Sequence, residues 1–271
     1  MQLIINFFLK NKTFLWFLLL FFIALFFTIQ SHSYHRSKFI NSANFLSGGV
    51  YGWTSDLGNY FNLKSENELL IEDNKQLKQF FYNSASIDST KIGDSLQPRF
   101  VITTGQVYKN SYSSSNNYLL INKGENDSVK QDLGVISSKG IIGIIDKTSN
   151  NYARVLSILN TNSRINAQLK KTNHFGSLVW DTKSPEFVQL IDIPNFAPVV
   201  AGDTIITGGQ SQIFPKGVPV GTVVSFSEDA TGDSYSLQVK LFNDMTSIGH
   251  VYVIENNDKA EIKQVLESAN E

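Results

Sequence analysis

The chain has 271 residues, carries 23 Lys and Arg against 24 Asp and Glu for a net charge of −1, and contains no cysteine. The charge balance excludes a general nucleic-acid binder, which needs a basic excess to neutralise phosphates. The missing thiols exclude disulfides, thiolate metal sites and a cysteine nucleophile.

The first element in chain order is an apolar run. Residues 13–29 read TFLWFLLLFFIALFFTI without a charge. At 1.5 Å per residue they reach about 25 Å, the short end of a bilayer's hydrocarbon core. Ser31-His32-Ser33 is a poor small-x-small cleavage site, so the run is expected to stay as an uncleaved transmembrane helix over 13–30. Lys10 and Lys12 before it are balanced by Arg36 and Lys38 after it, and the free amino terminus tips the N-terminus towards the inside. Residues 1–12 are then a cytoplasmic end.

A juxtamembrane helix and coiled coil are expected over 31–85. All six prolines lie at Pro98 or later, so nothing interrupts a helix by removing a backbone donor. The glycines at 48, 49, 52 and 58 mark a weak point. Beyond them Leu63, Leu70 and Leu77 fall seven apart at d positions, and Tyr60, Asn67, Asn74 and Phe81 fall seven apart at a positions. Leucine at d buries against a partner helix, and paired asparagines at a fix register and strand number, so a parallel homodimer is expected. The alternative is a single amphipathic helix packed on its own domain.

From Pro98 the texture becomes short β-branched runs between Gly, Asn, Ser and Asp, such as RFVITTGQVY, ARVLSIL and HVYVIEN. Many short strands with no helix-length segment between them predict an all-β sandwich or barrels over 98–255. Two similar β units are expected, because VKQDLGVIS–SKGIIGIID–ARVLSILN is echoed by VVAGDTIIT–PKGVPVGTVV–SYSLQVKLFND. The echo pairs Val129/Asp132 with Val200/Asp203 and Lys139-Gly140…Gly143 with Lys216-Gly217…Gly221. A polar tail, 256–271, follows.

Catalytic readings fail on residue types. In GDTIITGGQSQIFPKGVPVG, Lys216 is followed by glycine and then a strand, whereas a phosphate loop needs Lys-Ser/Thr opening a helix. Ser211 has only His174 and His250 as candidate bases away from the apolar segment, with no local triad pattern. His32 and His35 lack a third metal ligand. Asp181, Glu186 and Asp192 are scattered over separate predicted strands, without the pairing that glycoside hydrolysis needs. No enzyme, cofactor or metal is expected, and the glycines and prolines of 202–221 are expected to shape barrel turns.

The order of anchor, short coiled coil and duplicated β region resembles the rod-shape-determining MreC family. VVAGDTIITGGQSQIFPKGVPVGTV is similar to that family's motif, carried here by Gly202, Asp203, Thr207, Gly209, Phe214, Pro215, Gly217 and Gly221. GVISSKGIIGIIDKTSNNYARVLSILN is similar to its other β segment, and LKSENELLIEDNKQL to its heptads. The resemblance implies an all-β periplasmic region of two small six-stranded β-barrels behind a transmembrane helix and a short parallel coiled coil. It also implies a non-enzymatic, single-pass inner-membrane scaffold of cell elongation with its N-terminus cytoplasmic and its bulk periplasmic. The implied partners are MreB, MreD, RodA and a penicillin-binding transpeptidase, which such scaffolds help activate in peptidoglycan synthesis. An alternative is a periplasmic adaptor of an efflux or secretion system. Adaptors normally use two antiparallel helices inside a lipoyl-like motif, and here one helix precedes the β region with none returning.

Overall fold

The computed structural model describes residues 10–31, 63–84, 98–229 and 232–268. Tyr60, His32, His35 and the glycines of 48–58 lie outside the described residues. The chain divides into two units, Met1–Glu68 and Leu69–Glu271.

In the first unit, helix α1 runs Lys12–Ser31 with no acidic residue in its first turn and no basic residue in its last. Its side chains are described as far as Phe27, and Phe14, Trp16, Phe17, Phe21, Phe22, Phe26 and Phe27 are all exposed. Residues 12–27 span roughly 24 Å. Among the described residues no helix is long and apolar enough to cross a membrane. The unit also holds the first turns of helix α2, residues 63–84.

The second unit contains twelve strands and a C-terminal helix, α3 (Lys259–Ser268). The strands are β1 Phe100–Asn110, β2 Asn116–Ile121, β3 Gly134–Ile136, β4 Ile141–Thr148, β5 Ala153–Asn160 and β6 Ile165–Leu169. They continue as β7 Phe175–Val179, β8 Phe187–Pro194, β9 Thr204–Thr207, β10 Pro219–Glu228, β11 Ser234–Leu241 and β12 His250–Asn256. They close into two six-stranded barrels, ordered β1-β12-β3-β4-β5-β2 and β10-β11-β8-β7-β6-β9. Period-two alternation builds each wall. In β8, Val188, Leu190 and Ile193 point into barrel 2 and are fully buried. The expected tail is thus partly helical, with Arg99 Nε 2.9 Å from Asp258 Oδ2 at its root.

Barrel 2 is inserted into barrel 1. The chain builds five strands of barrel 1, all six of barrel 2, and then returns with β12. β12 pairs along β1 from Phe100↔Asn256 to Gln106↔His250. Barrel 1 cannot close until the last strand arrives, which makes its closure a non-local event.

The internal echo is a true structural repeat that keeps Gly143 with Gly221 and shifts the Asp and Lys-Gly pairings of the sequence reading by one residue. Gly134↔Ile144, Val135↔Gly143 and Ile136↔Ile141 pair in barrel 1 as Thr204↔Thr222, Ile205↔Gly221 and Ile206↔Pro219 pair in barrel 2. Asp132 N donates to Ile145 O and Ile145 N to Leu133 O, as Gly202 N donates to Val223 O and Val223 N to Asp203 O. Asp132 therefore matches Gly202, not Asp203. Both take positive φ, 62° and 94°. That left-handed turn, which glycine adopts freely and aspartate tolerates, is what the repeat preserves.

Candidate functional site: the barrel joint and an exposed helix face

Between β3 and β4 the connection is residues 137–140, but its counterpart between β9 and β10 runs 208–218 and carries most of the motif. Thr207 pinches the base of this longer loop. Its hydroxyl donates to Pro215 O at 2.6 Å and accepts from Val218 N at 3.0 Å. Its backbone N–H donates to Val218 O, and its carbonyl accepts from Gly217 N. Gly209 and Gly217 turn the two ends of the loop with φ of 74° and 96°.

The loop then crosses to barrel 1. Phe214 is 2% exposed and lies on Gly134 of β3, where a Cβ would stand 2.6 Å from the ring's Cε1. The seat thus requires a residue without a side chain. Beyond the other end of β3, Ser137 Oγ donates to Asn243 Oδ1 at 2.5 Å, and Asn243 Nδ2 donates to Ile141 O at 2.8 Å. Asn256 Nδ2, at the end of β12, donates to Gln212 O at 3.1 Å. Pro215 is buried beside Phe214, and Gly221 sits where a Cβ would collide with Lys240 O. The residues expected only to turn the chain therefore also join the barrels, and the joint's partners Gly134, Ser137 and Asn243 were missed from sequence. The visible signal was an Ile-Phe pair inside a loop, where apolar residues need a reason.

Asp203 secures the turn before β9. Its carboxylate accepts from Val200 N at 2.9 Å and from Lys171 Nζ at 2.7 Å, with the side chain 3% exposed. The Lys171 hydrogen bond foremost, then the Val200 N–H, hold the carboxyl below the usual carboxylate range. A carboxyl that ionises more readily folded than unfolded adds stability above its unfolded pKa, about 4. That contribution is lost as pH falls through the lower folded value. Asp203→Asn should therefore lower the melting temperature near neutrality, and the gap to the parent should narrow progressively as pH falls below about 4. A gap that stays constant across the series would remove the charge from this account.

Ser211 Oγ accepts from Ile213 N within its own turn, while the His174 ring stands edge-on to Phe196 at 5.8 Å. Among the described residues no three His, Cys, Asp or Glu side chains are placed to hold a metal.

Helix α2 presents two faces. One seats it on barrel 1: Ile71 packs on the core, Lys78 Nζ stands 5.6 Å from the centre of the Tyr252 ring, and Tyr82 is 6% exposed. Asn83 clamps the helix end to β1, donating to Phe100 O and accepting from Phe100 N, both at 2.9 Å. Burial lowers the Lys78 pKa and pushes Tyr82 up to about 12, so its hydroxyl stays protonated. The other face carries the heptad positions. Leu63, Leu70, Leu77 and Phe81 are all more than half exposed, and Asn67 and Asn74 are exposed between them. Asn74 Nδ2 meanwhile donates to Leu70 O.

Residues 107–255 match the family model described as Rod shape-determining protein MreC, barrel core. The cell shape-determining protein MreC of Listeria monocytogenes is 27% identical over 228 residues, covering 80% of this chain and 76% of that protein. A solved Listeria MreC structure gives a TM-score of 0.57 at 26% identity, covering 74% of this chain and 92% of that one. A complex between penicillin-binding protein PBP2 and MreC from Helicobacter pylori is more distant, with a TM-score of 0.44 at 19% identity over 58% of this chain and 99% of that one; the pairing is a property of those two proteins. With over half its length matched by the family model and both barrels in place, the chain belongs to the MreC family of rod shape-determining proteins.

Proposed function

We propose that the chain is a non-enzymatic scaffold of the cell-elongation machinery, anchored in the inner membrane by α1 and dimeric through α2. The barrels would lie in the periplasm and dock MreB- and MreD-linked membrane partners, RodA and a penicillin-binding transpeptidase, organising peptidoglycan synthesis. Family membership supports the cell-shape role. The backbone of α1 continues to Ser31, about 30 Å in all, and Thr28 and Ile29 extend its uncharged run. Its exposed aromatic side chains have the chemistry of a lipid-facing surface.

The observation that carries the reading is the division of labour on α2. The chain's own barrel occupies one face, and the leucine stripe on the other remains uncovered. A helix held by one face and apolar on the other is suited to pairing with a second copy.

Purifying the tagged full-length protein from its own cells in mild detergent, with mass spectrometry of what accompanies it, tests the scaffold reading. The expected companions are a penicillin-binding transpeptidase with RodA or MreB. Recovery of a transporter with an outer-membrane channel would replace it with the adaptor reading.

A further inference from the structure

We propose that the outer wall of barrel 2 carries a binding cleft for a neutral saccharide of the N-acetylated pyranose class. The cleft, about 420 Å³, lies over β8, β11 and β10 beside the β7–β8 turn. Gln189, Gln238 and Ser225 form one rung across the three strands, and Ser236 pairs with Ser227 one outward-facing position along. Phe187 lies two residues from Gln189, on the same face by strand alternation. The intervening Val188, Leu237 and Val239 are fully buried in the barrel, so this rung points away from the core.

The lining's chemistry selects the ligand. Asp181 and Lys183 at the rim pair with each other at 3.2 Å, leaving no net charge for a phosphate or carboxylate. The remaining polar groups are hydroxyls and amides, which both donate and accept. Ser225 Oγ donates to Gln238 Oε1 at 3.2 Å. Gln189 Oε1 is buried with no hydrogen-bond partner, an unsatisfied acceptor that a turn of the amide would present to a donor in the cleft. Trp180 Nε1 donates to Ser184 O at 2.8 Å and fixes the side wall. A half-buried phenyl ring among hydroxyls and amides suits a pyranose, whose C–H face packs on the ring while its hydroxyl and acetamido groups exchange hydrogen bonds. An extended peptide would instead seek an open sheet edge, and both barrels are closed.

The test is saturation-transfer NMR and calorimetry with N-acetylchitotetraose on the full-length protein. The protein is held in a zwitterionic detergent, because sugar-headed detergents would compete. Transfer to the sugar's ring protons is expected. Gln189→Met, which removes the unpartnered acceptor, and Gln238→Trp, which fills the cleft, should each weaken binding by about tenfold or more with the melting temperature unmoved. Absence of transfer, equal binding by both variants, or displacement of the sugar by a neutral Ser/Gln-rich peptide would overturn the proposal. The assay needs no partner protein, so its failure leaves the scaffold reading standing.

Discussion

Replacing Phe214 with alanine is expected to destabilise the two-barrel region by about 3–5 kcal/mol, the range for deleting a fully buried phenylalanine. At about 2–4 °C per kcal/mol for a domain of this size, the melting temperature should fall by roughly 6–20 °C. The ring is 2% exposed and belongs to a loop of barrel 2 while resting on Gly134 of barrel 1. Its loss should loosen the joint as well as empty a cavity. Phe226→Ala is the control: that ring is 44% exposed, and its removal should cost about 0.5 kcal/mol or less. Gly134→Val attacks the same contact from the other side. Combined with Phe214→Ala it should cost clearly less than the sum, because the two changes break one interaction. Thermal unfolding of the four proteins decides the matter. Additive losses, or a Phe214→Ala change below about 1 kcal/mol, would mean that the ring does not join the barrels.

Strand content was legible from short β-branched runs between turn residues and from alternation in strands such as β2 and β7, but strand order was not. β12 finds β1 across the whole inserted barrel, and no local pattern encodes a pairing at that separation. The repeat was legible and misaligned, because matching Asp132 to Asp203 follows side-chain identity. The fold instead preserves the positive φ shared by Asp132 and Gly202, so the second copy's aspartate was free to take up Lys171. On α2 the leucine stripe was visible at heptad spacing, and the stripe that seats the helix was not. Ile71, Lys78 and Tyr82 recur at helical spacing, but one of them is a lysine, and a hydrophobic pattern cannot register a charged side chain that covers apolar surface with its stem. The tail was read from its polar residues alone. Ile262 and Val265 lie three apart in α3, where Ile262 is half-buried beside Tyr82 and Phe100.

The separation of the two α2 faces makes the largest predicted effect on association a clean one. Leu70→Asp should abolish the dimer without unfolding the barrels, because Leu70 is 56% exposed in the single chain and the helix is seated by Tyr82 and Asn83 instead. In the proposed parallel dimer two copies of Leu70 would meet at one d layer, and each would lose about 1.5–3 kcal/mol of burial, raising the dissociation constant by at least roughly a hundredfold. Two aspartates facing each other add like-charge repulsion to that loss. Sedimentation of the full-length protein in density-matched detergent is the measurement, with the melting temperature taken on the same sample. Lys78→Ala, on the barrel-facing stripe near Tyr252, should leave association unchanged. Asn74→Leu should strengthen it while relaxing the stoichiometry, since a polar residue at an a position trades stability for a defined strand number. A Leu70→Asp protein that still sediments as a dimer would assign the contact to another surface and leave the leucine stripe without a partner copy.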